Sequence, residues 1–208
     1  MIPCIDNYRD LPLGVYAEII KANDIPDEVE RQVKVISLLT GLTERELLNL
    51  PLVDYSDLAV KSNFLTKPIA RIARPNTKYR CGKFTLIPTA DLRKITAAQY
   101  IDFQTFAPDG EKKMVEILSC FLLPEGMRYN DGYDIIEVQN AIREDLSVQD
   151  AVFLSAFFLR KYAALIKATQ TSLVKTMRKE RNKEKRMRME MELQRMREAV
   201  DSLTAGAG

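Results

Sequence analysis

Hydrophobic residues in the first third of the chain recur at helical spacing. Val29, Val33 and Ile36 stand three or four positions apart, which places them on one face of a helix. Gly41 follows this series, and glycine is a typical helix terminator. The pattern predicts an amphipathic helix that ends before Gly41, preceded by a shorter one at residues 13–22.

A second helix start follows directly. Thr43 and Glu46 have the spacing of a capping box, in which the threonine hydroxyl and the glutamate carboxylate each accept a backbone N–H at a helix start. The box predicts a short helix through Leu48, which Pro51 terminates. A third helix is expected from about residue 56 to residue 65.

The middle of the chain changes from helical spacing to partial alternation. Short runs at residues 69–73, 78–81 and 83–87 are separated by a Pro-Asn pair and by Gly82. They predict two or three antiparallel strands, with a hairpin at about residues 69–88. Its outward positions carry the basic residues Arg71, Arg74, Lys78, Arg80 and Lys83. We interpret these as the solvated side of a small sheet, and contact with nucleic acid stays open.

The second half returns to helical patterns. Thr96 and Gln99 form another capping-box pair, and further helices are expected at residues 111–123 and 134–144. Ser147 and Asp150 are typical of the start of a long helix. Its predicted core face consists of Val152, Ala156, Leu159, Ala163 and Ile166.

The composition shifts after residue 166. Residues 176–199 contain no Gly or Pro and are rich in Arg, Lys, Glu and Met, which predicts one continuous charged helix over residues 167–203 and a disordered tail at 204–208. A coiled-coil seam with spacing 4,3,4,3 runs through Met189, Leu193, Met196, Val200 and Leu203. A seam of about two heptads is marginal alone, so it implies a partner helix or self-association. The predicted partner contacts are Met187, Met189, Met191, Leu193, Met196 and Val200.

These patterns together predict a mainly α fold with a small antiparallel β-hairpin (α+β). The expected organisation is a helical body over residues 1–166 and a long projecting C-terminal helix. The opening residues lack a secretory apolar run, and the most apolar later window, residues 148–166, is interrupted by charges. We therefore expect neither export nor a membrane span.

The chain contains no histidine, which bears directly on catalysis and metal binding. Without imidazole there is no Ser-His or Cys-His nucleophile pair and no histidine-containing zinc site. The three cysteines, Cys4, Cys81 and Cys120, are far apart and lack the spacing of a metal knuckle or a disulfide framework. No glycine-rich nucleotide motif is present. The sequence predicts a protein that is not an enzyme and has no cofactor or metal.

The charge of the chain is uneven. Residues 175–188 hold eight Lys and Arg against two Glu, or +6 locally, although the whole chain carries a formal net charge of only +2. This segment could bind nucleic acid, lie on an anionic membrane, or be a solvated helix facing an acidic partner. The membrane is disfavoured because no Trp, Phe or Leu faces the charges. The candidate contacts for nucleic acid or an acidic partner are Arg178, Lys179, Arg181, Lys185 and Arg186.

Short motifs near the start carry a family resemblance. The progression Thr40-Gly-Leu-Thr43, Glu46-Leu47 and Asp54-Tyr55 resembles the small tail assembly chaperones of bacteriophages. The similar stretch covers residues 13–65, and residues 80–103 also look like proteins encoded among phage morphogenesis genes. The resemblance implies a mainly helical, non-enzymatic protein of the host cytoplasm that solubilises the tape-measure protein and recruits tail-tube subunits. It implies no catalytic residues.

The chain departs from that family in two additions. Typical members are shorter, and the hairpin and the long charged helix have no clear counterpart among them. A structural virion component, such as a head–tail connector, a ring or an internal protein, is therefore an alternative. A nucleic-acid-binding protein that uses the basic segment is a second one.

Overall fold

A computed structural model describes residues 2–70, 76–89, 91–180 and 182–205, with the side chains of all of these except residues 111 and 198–205. These residues form nine α-helices and a three-stranded antiparallel sheet, which confirms the predicted mainly α fold with a small sheet and a long C-terminal helix. The helices are α1 (Leu13–Ala22), α2 (Glu28–Thr40), α3 (Glu44–Leu48), α4 (Leu52–Ser62), α5 (Ala97–Phe106), α6 (Met114–Ser119), α7 (Ile135–Asp145), α8 (Val148–Lys179) and α9 (Lys183–Ala205). The strands are β1 (Tyr79–Cys81), β2 (Phe84–Pro88) and β3 (Leu122–Pro124).

The chain divides into two compact units. The first comprises Met1–Thr89 and Thr96–Leu154, and the second comprises Ala90–Ile95 and Ser155–Gly208. The predicted boundary between residues 166 and 167 lies inside α8, which continues through it as one helix. Of the expected disordered tail, residues 204 and 205 belong to α9 and residues 206–208 lie outside the described part of the chain.

Helix boundaries in the first unit follow local side-chain chemistry. Asp27 caps α2 by accepting the Glu30 backbone N–H at 2.8 Å. Gly41 ends the same helix in the left-handed conformation, with φ 73°, as the sequence predicts. Both predicted capping boxes, at Thr43 and at Thr96, are present. The helix expected from residue 56 begins earlier, at Leu52, because the chain can turn helical directly after Pro51.

Two clusters of buried side chains fill the part of the first unit built from α1 to α4 and the start of α8. Their buried members are Leu11, Ile19, Leu39, Phe64 and Val148 in one cluster, and Val33, Ile36, Leu47 and Leu58 in the other. The predicted face of α2 is therefore buried at Val33 and Ile36. Val29 is the exception, 66% exposed, since it lies in the first turn of α2, before the packed residues begin.

The sheet has the order β1-β2-β3, with all neighbours antiparallel. Strands β1 and β2 form the predicted hairpin over a shorter range, turning at Gly82 with φ 52°. The third strand is β3, which the pattern assigned to a helix over residues 111–123. That helix is confined to α6, because residues 122–124 pair with β2 through Leu86, Ile87 and Pro88.

Two of the three described basic positions of the hairpin form ion pairs. Lys78 forms an ion pair with Glu125, and Lys83 pairs with Glu137 at 2.7 Å. Arg80 is exposed. Arg71 and Arg74 lie outside the described residues. The ion pairs support the interpretation of these residues as the solvated side of the sheet.

Helix α8 buries a different face from the predicted one. Ala156 and Ala163 are exposed, and Val152 and Leu159 are only half-buried, whereas Ile166 is buried as predicted. The buried series, also at helical spacing, is Ala151, Leu154, Phe158, Tyr162 and Ile166. The buried face is thus displaced from the predicted one by about one residue position. This series contains the larger side chains, and their burial removes more apolar surface from water.

The prediction of one continuous charged helix over residues 167–203 is wrong, because α8 ends at Lys179 and α9 begins at Lys183. Asn182 explains the new start. Its side-chain oxygen accepts the backbone N–H groups of Glu184 at 2.9 Å and Lys185 at 3.1 Å. Asparagine favours this capping role over a position inside a helix.

Candidate partner-binding surfaces

Large aliphatic side chains are exposed along α3 and α4. Leu48, Leu52, Val53 and Val60 are 68, 79, 72 and 67% exposed, and we call this set the α3–α4 face. Val53 and Val60 stand seven positions apart, so they lie on the same side of α4, two turns from one another. A concentration of exposed apolar side chains of this kind marks a surface for interaction with another molecule.

The local fold explains why these residues are not buried. Helix α3 has only five residues and buries Leu47, which leaves Leu48 on its outer side. Helix α4 packs through Leu58, with Tyr55 and Ala59 against the same cluster. The run Leu47-Leu48-Asn49-Leu50-Pro51-Leu52-Val53 therefore holds more apolar residues than two short helices can bury. That excess is the sequence signal for the α3–α4 face, which the periodicity alone did not indicate.

The α3–α4 face is accompanied by negative charge. Among the exposed side chains of α3 and α4, four are carboxylates, namely Glu44, Glu46, Asp54 and Asp57, and only Arg45 is cationic. Glu44 is paired with Lys34 at 3.1 Å, which leaves three carboxylates against one arginine. The Glu46 carboxylate accepts from the Thr43 hydroxyl and backbone, and these hydrogen bonds lower its pKa. It therefore stays charged at neutral pH.

The predicted contacts on α9 fall on two opposite sides of the helix. Met189 and Met196 are half-buried, and Leu193 is only 8% exposed, so the chain itself covers this side. Met187 and Met191 are 56 and 53% exposed. The side chain of Val200 lies outside the described residues. Leu193 is thus a packing residue of the chain, whereas Met187 and Met191 are accessible to a partner.

The predicted basic contacts are distributed over two helices. Arg178 and Lys179 lie in the last turn of α8, while Lys185 and Arg186 lie in the first turns of α9, and all four are exposed. Arg186 pairs with Glu190 at 3.4 Å. Arg181 lies outside the described residues. Because the helix is interrupted between the two pairs, they do not lie on the one continuous helix that the sequence predicted.

The buried thiols are poor candidates for catalysis. Burial, reinforced by nearby carboxylates, raises the pKa of Cys81 to about 12. Burial likewise raises the pKa of Cys120 to about 12, although a contact with the Tyr129 hydroxyl opposes the shift. A thiol reacts as its thiolate, so both groups are almost wholly protonated and unreactive at neutral pH.

A polar network surrounds Cys120 inside the first unit. The Tyr129 hydroxyl donates to Asp102 at 2.7 Å, and the Gln99 side-chain amide donates to the Cys120 carbonyl at 2.9 Å. Desolvation, followed by the hydrogen bond to Asp102, raises the pKa of Tyr129. The groups satisfy one another's hydrogen-bonding needs, so the network has the character of a structural tie and not of a reactive centre.

The described residues provide neither a cluster of three metal-binding side chains nor a helix able to span a membrane. No three carboxylate or thiol side chains in the described ranges are placed to hold a metal ion. No helix in the part of the chain that the structure describes combines the length and apolarity required to span a bilayer. Comparisons with protein-family models, with curated proteins and with solved structures give no match to this chain.

Proposed function

We propose that the protein is a non-enzymatic assembly chaperone of the phage tail type, and that its α3–α4 face covers an apolar helical segment of a partner protein. The observation that carries this proposal is the position of that face. Four aliphatic side chains, each about two-thirds exposed or more, occur within residues 48–60. This is the same stretch whose motifs resemble the tail assembly chaperones.

The motif residues have a clear role in presenting the face. Gly41 ends α2, and the Thr43–Glu46 box starts α3, so together they determine the turn between the two helices. Asp54 and Tyr55 lie in the first turn of α4, where Tyr55 packs on the buried cluster. The resemblance therefore concerns residues that orient α3 and α4, which supports a common use of this surface.

The proposed mechanism is sequestration. An amphipathic helix laid on the α3–α4 face buries apolar surface of both proteins, and this keeps the partner soluble until polymerisation displaces the chaperone. A partner of tape-measure type, long and helical, or a tail-tube subunit fits this role. The proposed location is the host cytoplasm during assembly.

The test is co-expression with a tape-measure-type protein that is insoluble alone. The chaperone is expected to keep it in the soluble fraction, and the variant Val53→Lys/Val60→Lys is expected to lose this ability because a buried unpaired charge is costly. The matched control is Met127→Lys/Ile136→Lys, which adds the same two charges at exposed positions outside α3 and α4. If the double variant solubilises the partner as well as the control does, the α3–α4 face is not the contact.

The protein content of purified phage particles distinguishes a chaperone from a structural virion component. Quantitative mass spectrometry should find the protein abundant in infected-cell lysate and absent from finished virions. A constant copy number in the particles would instead make it a connector, ring or internal virion component.

The exposed basic side chains at the α8–α9 junction favour a second candidate function, nucleic-acid binding. Lys179 is the last residue of α8 and Lys185 lies in the first turn of α9, with Arg178 and Arg186 beside them. Such binding would weaken steeply with salt, and replacing these four residues by Gln would reduce the slope of that dependence. Fluorescence anisotropy with a labelled duplex measures both quantities.

A further inference from the structure

Helix α9 presents an exposed apolar pair on the side opposite its covered one. Successive residues of a helix are rotated by about 100°, so Met187 and Met191 lie about 40° apart. Leu193 lies at least about 120° from either of them. We call the exposed side the α9 Met face.

The charge around the α9 Met face is positive. Lys183 and Arg195 lie in the same sector of the helix, Arg188 lies at its border, and all three are exposed. Glu184 is a carboxylate in that sector, and Glu190 at its border is paired with Arg186. The face therefore has the composition of a basic amphipathic helix, in which methionine supplies an adaptable apolar contact.

The α3–α4 face has the opposite composition. Its aliphatic side chains are accompanied by three exposed carboxylates without an ion pair in the described part of the chain, Glu46, Asp54 and Asp57, against Arg45. Glu44 is paired with Lys34. The same chain thus carries an acidic apolar surface in its first unit and a basic apolar surface in its second, and both are exposed.

We propose that the α9 Met face of one copy docks on the α3–α4 face of a second copy, so that the protein self-associates head to tail. Met187 and Met191 then contact the aliphatic side chains of α4, while Arg188 and Arg195 approach Asp54 and Asp57. The contact joins two different surfaces, so each dimer retains one free face of each kind and can add further copies.

This self-association gives the α3–α4 face an occupant in the absence of any other protein. A partner that binds the same face has to displace the second copy. The proposal does not depend on the proposed chaperone function, because it is tested with the purified protein alone. A negative result for self-association does not refute the chaperone function, and a negative result for the chaperone function does not refute self-association.

The test is sedimentation velocity of the purified full chain over about 10 µM to about 1 mM, a range suited to weak contacts. The weight-average mass should rise with concentration and rise more at low salt, since exposed charge pairs are screened by salt. Val53→Lys/Val60→Lys should weaken association at least about tenfold, because it adds positive charge opposite the basic helix. Met187→Glu/Met191→Glu should do the same through negative charge.

A mixture of the two double variants decides the pairing. Each variant keeps one intact face, so an equimolar mixture should form a dimer and stop there. Met127→Lys/Ile136→Lys is the control, since both positions are exposed and lie outside the two faces. Circular dichroism confirms that every variant has the helical content of the unmodified chain.

Several outcomes would overturn the proposal. The proposal is wrong if the wild-type chain stays monomeric over the whole concentration range. It is also wrong if either double variant associates as strongly as the control. Two variants that are each monomeric and remain monomeric when mixed also overturn it, because the intact α9 Met face of one would then fail to dock on the intact α3–α4 face of the other. A second set of variants, with reversed charges, gives an independent check. Asp54→Lys/Asp57→Lys should weaken association. Mixing this variant with Arg188→Glu/Arg195→Glu should restore it.

Discussion

The Tyr129 hydroxyl donates a hydrogen bond to the Asp102 carboxylate at 2.7 Å. This bond joins the turn after β3 to helix α5, and the Tyr129 side chain is almost completely buried. Replacing Tyr129 with Phe should lower the free energy of unfolding by about 1–3 kcal/mol, since it removes the partner of a half-buried carboxylate. Urea unfolding followed by circular dichroism measures the change.

Tyr133→Phe is the matched control for that variant. The Tyr133 hydroxyl accepts only a long hydrogen bond, 3.4 Å, from the Asn130 backbone N–H. Removing the Tyr133 hydroxyl should therefore lower the free energy of unfolding much less than removing the Tyr129 hydroxyl does. Equal costs for the two variants would show that the bond to Asp102 contributes no more than an ordinary surface contact.

Gly14 allows α1 and α7 to approach closely. A Cβ at this position would lie 2.8 Å from the Arg143 backbone oxygen and 2.5 Å from its Cγ atom. Gly14→Ala should therefore lower the free energy of unfolding by about 1–3 kcal/mol, as overpacking does. The melting temperature reports the change. Gly41→Asn is the control, because nothing lies within 4 Å of that position and Asn tolerates its positive φ; a smaller effect at Gly14 than at Gly41 would contradict the close approach.

Alkaline pH should destabilise the folded chain through its buried thiols. The pKa of Cys81 and that of Cys120 rise from 9.0 to about 12 on folding. The folded state therefore holds these protons more tightly than the unfolded state. This contribution is fully present below pH 9 and is lost as pH rises toward about 12.

Urea midpoints measured at intervals from pH 8 to about pH 11 should accordingly decline above pH 9. The decline of the midpoint with pH should be shallower in Cys120→Ala, even if that variant is already less stable than the unmodified chain at pH 8. A slope unchanged by the replacement would assign the alkaline effect to other groups, such as Tyr79, whose pKa burial also raises to about 12.

Asn182 determines where α9 begins. Asn182→Ala removes the acceptor of the Glu184 and Lys185 backbone N–H groups and should destabilise the first turn by about 1 kcal/mol. Hydrogen exchange at these two amides should become roughly five times faster. Asn182→Asp retains a capping oxygen and should preserve their protection. Unchanged exchange in the alanine variant would mean that the cap does not hold this turn.

The features that could be predicted from the sequence are those decided by neighbouring residues. The stop at Gly41 and the two capping boxes depend on side chains within three or four positions of the backbone they contact. Each was therefore visible in the pattern and is confirmed. The break before α9 has the same local origin at Asn182, and an asparagine followed by Glu184 in the first turn was a usable signal for it.

The features that escaped prediction depend on residues distant in the sequence. Strand β3 exists because Leu122–Pro124 pairs with β2. Pro124 indicates where a helix must end, but Leu122 and Leu123 fit the end of a helix as well as a strand. The buried face of α8 was misassigned by one residue because helical spacing fits two adjacent series equally well. Side-chain size decided between them in favour of Leu154 and Phe158.

The candidate surfaces show the same division. Periodicity correctly grouped Met189, Leu193 and Met196 on one side of α9, but it could not tell a side covered by the chain from one open to a partner. The α3–α4 face was overlooked for the converse reason, since an apolar residue at helical spacing is usually buried. Only the excess of apolar residues around Leu48 and Leu52 distinguishes the two cases.

The covered side of α9 also affects how the helix can bind. Ordering a flexible segment costs about 1–2 kcal/mol per residue in lost backbone freedom. Because Leu193 is already packed, α9 is held in helical form before anything reaches Met187 and Met191. A surface that docks on these methionines restricts little more than their side-chain rotamers. Preorganisation of this kind allows a small apolar contact to produce measurable affinity.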